Sequence, residues 1–78
     1  METLRKRLKE ARLNKKMTRA KVAEVVGIHK QYVADMENGR RTPSVKMLYK
    51  LSKAYEVPVY WFFLPEGYEY EISFPIDV

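Results

Sequence analysis

The sequence predicts a compact all-α domain of five short helices followed by one C-terminal β-strand, and three observations carry that prediction. Apolar residues recur at three- and four-residue spacing through most of the first 64 positions. Gly27 and Gly39 each follow such a stretch, where a helix end calls for a residue that tolerates left-handed backbone. Beyond Gly67 the period changes to two, with Tyr68, Tyr70, Ile72, Phe74 and Ile76 alternating with Glu69, Glu71, Ser73 and Pro75.

The first helix is expected from Leu4 to about Leu13, with Leu4, Leu8 and Ala11 on one face and Lys and Arg between them. Asn14-Lys15-Lys16 interrupts the stripe, and Thr18 is a good N-cap for a second helix at about 19–26 that points Val22, Ala23 and Val26 inward. Gly27 closes it, and Ile28 plugs the corner before a third helix at about 30–38. There Val33, Met36 and the stem of Glu37 face inward, and Gly39 is the expected C-terminal cap. Arg40-Arg41-Thr42-Pro43 forms a basic loop, after which Ser44 caps a fourth helix ending near Tyr55, with Val45, Leu48, Leu51 and Tyr55 at helical spacing. Pro58 suits the first turn of a short fifth helix from Val59 to Leu64.

Composition narrows the function. Seventy-eight residues, 46% hydrophobic and 32% charged, suffice for one core. No apolar run approaches the roughly 20 residues needed to span a bilayer, and charges thread the apolar positions of the N-terminus, unlike an export signal. A cytoplasmic protein without membrane contact is expected. The chain has no Cys and one His, and its carboxylates are mixed with Lys and Arg on helical faces. Neither a catalytic constellation nor a metal site is predicted, no cofactor is expected, and enzyme chemistry is disfavoured.

Charge is unevenly placed. Residues 1–50 hold 14 Lys and Arg against 5 Asp and Glu, a net of +9, whereas residues 51–78 hold 1 against 5, a net of −4. A basic segment joined to an acidic one points to a polyanion on one side and another partner elsewhere, with double-stranded DNA the first candidate. The strand has no second period-two run to pair with. Antiparallel pairing with a second copy would satisfy its backbone and make a homodimer, its interface formed by Tyr68, Tyr70, Ile72 and Phe74 over Trp61. A tail laid over its own core, and a swap between subunits, are the alternatives.

The stretch Met17-Thr18-Arg19-Ala20-Lys21-Val22-Ala23-Glu24-Val25-Val26-Gly27-Ile28-His29-Lys30-Gln31-Tyr32-Val33-Ala34-Asp35-Met36-Glu37-Asn38-Gly39, followed by Arg40-Arg41-Thr42-Pro43-Ser44, closely resembles the phage-repressor and Cro type (Xre-like) helix-turn-helix family. The shared pattern is a capping Thr after an apolar residue, an apolar-Ala pair, the corner Gly, an apolar residue four before Glu-x-Gly, and a basic Pro-Ser loop. The resemblance covers about residues 3–64, and it implies a five-helix lambda-repressor-like domain over 1–64 with residues 65–78 added as a dimerisation tail. It also implies a bacterial or phage origin.

By position in that motif, Lys30, Gln31 and Asp35 of the recognition helix look like base-reading residues, with Ala34 able to touch a thymine methyl. Lys30 suits guanine and Gln31 adenine, while Asp35 can accept from a cytosine amino group or act by exclusion. Phosphate contacts are implied for Thr18, Arg19, Arg40 and Arg41. Tyr32 can offer its hydroxyl to a phosphate or simply pack, and His29 can cap weakly, meet a phosphate when protonated, or serve only structure. Arg12 and Glu37 match a buried ion pair of the family. Lys21 stands where the family often carries Glu or Gln, so a reciprocal capping box is not expected. The function implied is a DNA-binding transcriptional regulator, a repressor that binds a palindromic operator as a homodimer. The alternative is an antitoxin-like protein that binds a protein partner and autoregulates its own operon.

Overall fold

The computed structural model describes residues 2–65; the proposed strand at 68–76 lies outside the described residues. Four α-helices are present, α1 (Glu2–Asn14), α2 (Arg19–Val26), α3 (Lys30–Glu37) and α4 (Val45–Tyr55), and a 3₁₀ helix spans Val59–Phe63. The fifth segment is thus wound more tightly than an α-helix. Its five residues make little more than one turn, and such short pieces commonly take the 3₁₀ form.

Helix ends follow the side chains at them. The Thr18 hydroxyl accepts from the Lys21 backbone N–H at 3.0 Å, and the Ser44 hydroxyl accepts from the Met47 N–H at 3.0 Å. At Gly27 the chain turns left-handed with φ 84°, and the N–H groups of Gly27 and Ile28 both donate to the Ala23 carbonyl. Helix α3 reaches its cap at Asn38, one residue before the expected Gly39. Gly39 then takes φ 81°, where an added Cβ would lie 2.9 Å from Arg5 Cδ.

One core joins all five elements, built from Leu4, Leu8, Ala11, Val22, Ala23, Val33, Met36, Met47, Leu48, Leu51, Tyr55 and Phe62. Phe62 has no exposed surface and meets Tyr55 and Trp61 edge to face, with ring centroids 6.5 and 5.9 Å apart. The structure corrects one inward assignment. Val45 is 81% exposed and Met47 is buried instead, because the stripe through Leu48, Leu51 and Tyr55 is centred about a quarter turn away from Val45.

Arg7 is buried among these apolar groups. Its Nε donates to the Leu64 carbonyl at 3.2 Å, one Nη to the Pro65 carbonyl at 2.8 Å, and the other Nη to Glu10 at 3.2 Å. The guanidinium lies 4.6 Å from the centroid of the Trp61 ring. A buried charge persists only when paired and hydrogen-bonded, and Arg7 meets that condition by fastening the 3₁₀ segment to α1.

Candidate nucleic-acid interface

The corner at Gly27 and Ile28 sets α2 against α3, with Val22, Ala23, Val33 and Met36 filling the space between and beneath them. Burial of that back leaves Lys30 and Gln31 exposed on α3, with Ala34 and Asp35 partly exposed. Thr18 at the start of α2, His29 before α3, and Arg40 and Arg41 after it are also exposed. The predicted base-reading and phosphate-contacting positions therefore share one stretch of chain, from the N-terminus of α2 through the loop beyond α3.

Individual side chains differ in how free they are. Arg41 stacks over the Tyr32 ring at 4.3 Å, so the ring packs beneath a cation. His29 holds the N-cap position with extended backbone, but its side chain makes no cap hydrogen bond, which sets aside the expected weak cap. The imidazole does not reach the N–H groups that a Ser or Thr hydroxyl in this position would accept from. Asp35 accepts from Gln31 Nε2 at 2.9 Å, and an Arg40 Nη sits 3.8 Å from the same carboxylate oxygen. The Asp35 backbone carbonyl also accepts from the Arg40 and Arg41 N–H groups, which turns the basic loop at the helix end.

Arg12 and Glu37 come together beneath this surface. Arg12 Nε donates to Glu37 Oε2 at 2.7 Å and Nη2 to Oε1 at 3.0 Å, a two-pronged pairing, while Nη1 donates to the Met17 carbonyl at 3.0 Å. The hydrogen bond to Glu37 raises the Arg12 pKa above its ordinary value, against burial that lowers it. Arg19 adds a third arm, donating from Nε to Glu37 Oε1 at 3.1 Å. The Glu37 side chain, 2% exposed, thus ties α1 and the first residue of α2 to the last residue of α3. Burial, and after it the charge of Glu37, pushes the Tyr55 phenol well above its usual range and keeps it neutral against the core.

Sequence reasoning missed three of these features. Arg7 was legible in principle, since it sits at i+3 from Leu4 and i−4 from Ala11, inside the apolar stripe. Gln31 and Asp35 were legible as an i, i+4 pair. The Arg19 arm was not, because it depends on how α2 and α3 cross. Among the residues assigned to the dimer interface, Trp61 is partly buried against Arg7 and Phe62 of its own chain. Tyr68, Tyr70, Ile72 and Phe74 lie outside the described residues. Among the described residues, no helix is long and apolar enough to cross a membrane.

Comparison with known proteins gives concordant matches. Residues 8–62 match the family described as Helix-turn-helix. Two proteins of Archaeoglobus fulgidus, each named an uncharacterized HTH-type transcriptional regulator, align over 56 residues at 30% and 27% identity. Each alignment covers 72% of this chain, and 79% and 80% of the respective relatives. Among solved structures, the restriction-modification controller protein C.AhdI from Aeromonas hydrophila superposes with a TM-score of 0.74 at 28% identity. That match covers 78% of this chain and 92% of the other.

Proposed function

Because the chain belongs to the helix-turn-helix family, as a DNA-binding transcription regulator of the Cro/C1 type, we propose that it represses transcription by binding a palindromic operator as a homodimer. The observation that carries this reading is the exposed edge of α3, flanked on both sides by cations and capped helix ends. Lys30, Gln31 and Ala34 enter the major groove, and Asp35 shares their face. Thr18, Arg19, His29, Tyr32, Arg40 and Arg41 line the phosphates on either side. Arg12 and Glu37 hold the frame without touching DNA. Residues 1–64 form the DNA-binding unit and 65–78 the dimerisation tail, and the protein works in the cytoplasm.

Selection from a random duplex pool at about 0.15 M salt tests this. A palindrome with half-sites about one helical turn apart should win over random DNA by about 10³ or more. Failure to enrich any sequence would sink the proposal. Replacing Arg41 with Ala should weaken every duplex alike and reduce the slope of log affinity against log salt by about one. A changed base preference in that variant would instead put Arg41 among the base readers.

The dimer has its own test. Light scattering should give twice the 9.3 kDa of one chain for the full protein and the mass of one copy for a chain ending at Glu66. That cut spares both carbonyls held by Arg7. A truncated chain that still dimerises would move the interface into the helical domain.

A further inference from the structure

Resting on the DNA-binding reading above, we propose that Asp35 is a positioning residue that fixes the orientation of the Gln31 carboxamide and so makes this chain prefer adenine to guanine at the base pair Gln31 meets. A glutamine amide offers two N–H donors on Nε2 and an acceptor on Oε1, and rotation about its last bond exchanges them. In this structure one of those N–H groups donates to Asp35 at 2.9 Å. The flipped amide would set Oε1 against a carboxylate, two acceptors with no proton between them, so that orientation is disfavoured.

What remains of Gln31 is one N–H beside one carbonyl oxygen. That pair matches adenine, whose N7 accepts and whose N6 amino group donates. Guanine presents two acceptors, N7 and O6, and satisfying both would need both N–H groups of Gln31. One of them is already committed to Asp35. The carboxylate is itself held, with an Arg40 Nη 3.8 Å away and the side chain only 20% exposed, so it is less available to a cytosine amino group than its place on the helix suggests.

The test uses the full-length protein and selection from a randomised duplex pool, comparing wild type with Asp35→Asn, Asp35→Ala, Gln31→Ala and the double variant Gln31→Ala/Asp35→Ala. Wild type should favour A·T over G·C at one position of each half-site by at least about fivefold, the lower bound for a good bidentate pair. Asp35→Asn, near-isosteric and able to donate as well as accept, lets either amide orientation stand, and Asp35→Ala removes the anchor. Both should shrink the preference at that position severalfold and leave the rest of the site unchanged. Gln31→Ala and the double variant should give the same profile, because the two residues act as a unit. Unchanged melting temperature of Asp35→Asn separates this from loss of fold.

Relaxation at a different base pair in the Asp35 variants would overturn the inference, since Asp35 would then be reading a base itself. An unchanged profile in both would overturn it equally. Absence of any enriched sequence for wild type would overturn the DNA-binding reading and this inference with it.

Discussion

Glu37→Ala is expected to destabilise the domain by about 3–5 kcal/mol, a cost comparable to the whole stability of many small domains. The carboxylate compensates two guanidinium groups at once, and one of them, Arg12, has a side chain only 9% exposed. Removing it leaves Arg12 with the Met17 carbonyl as its remaining partner, a neutral dipole in place of a full charge. Desolvation of the cation, offset until then by the two-pronged pairing, would fall on the native state alone. Urea unfolding should show a lower midpoint at an unchanged slope. By contrast, Arg19→Ala should cost well under 1 kcal/mol in stability, because that side chain is 34% exposed and water screens its pairing. A loss of less than about 1 kcal/mol in Glu37→Ala would show that the triad contributes little net energy.

Phe62→Ala should be comparably damaging, at about 3–5 kcal/mol, through a different term. Phe62 is the largest fully buried side chain among the described residues, and it is the only buried residue of its five-residue 3₁₀ turn. Truncation opens a cavity against Tyr55 and Trp61, and it removes both edge-to-face contacts. In a domain of this size each kcal/mol shifts the melting temperature by about 4–8 °C, so a fall of at least about 12 °C is expected by calorimetry. Phe62→Leu should lose much less, because it keeps most of the buried volume. If Phe62→Ala melts within a few degrees of wild type, the 3₁₀ segment is not integral to the core.

The contrast between these two residues shows what a sequence discloses. Thr18, Gly27 and Ser44 act locally, each through a cap or a left-handed backbone position, and short-range patterns reveal them. Val22, Ala23, Val33 and Met36 follow from periodicity, which determines the buried backs of α2 and α3 and hence the exposed edge of α3. Glu37 was legible as an inward stem, and its pairing with Arg12 only through family resemblance, because 25 residues separate the partners. Arg7 escaped because periodicity assigns a charged residue in an apolar stripe to its edge, and only the return of Leu64 and Pro65 to α1 supplies the carbonyls that let it stay inside. Val45 failed for the opposite reason. Its three-residue spacing to Leu48 suggests the stripe, but the stripe is centred about a quarter turn away, on the side that Met47 flanks.

The Arg7 clamp also decides how the domain is carried by whatever it is attached to. With two carbonyls bound and an indole beneath the guanidinium, the backbone at Leu64 and Pro65 is part of the same solid body as α1. Through Arg12 and Glu37, α1 is in turn fixed to the end of α3. A torque applied at residue 65 therefore reaches α3 through two guanidinium joints. The angle between α3 and the backbone leaving at residue 65 is thus built into the domain itself.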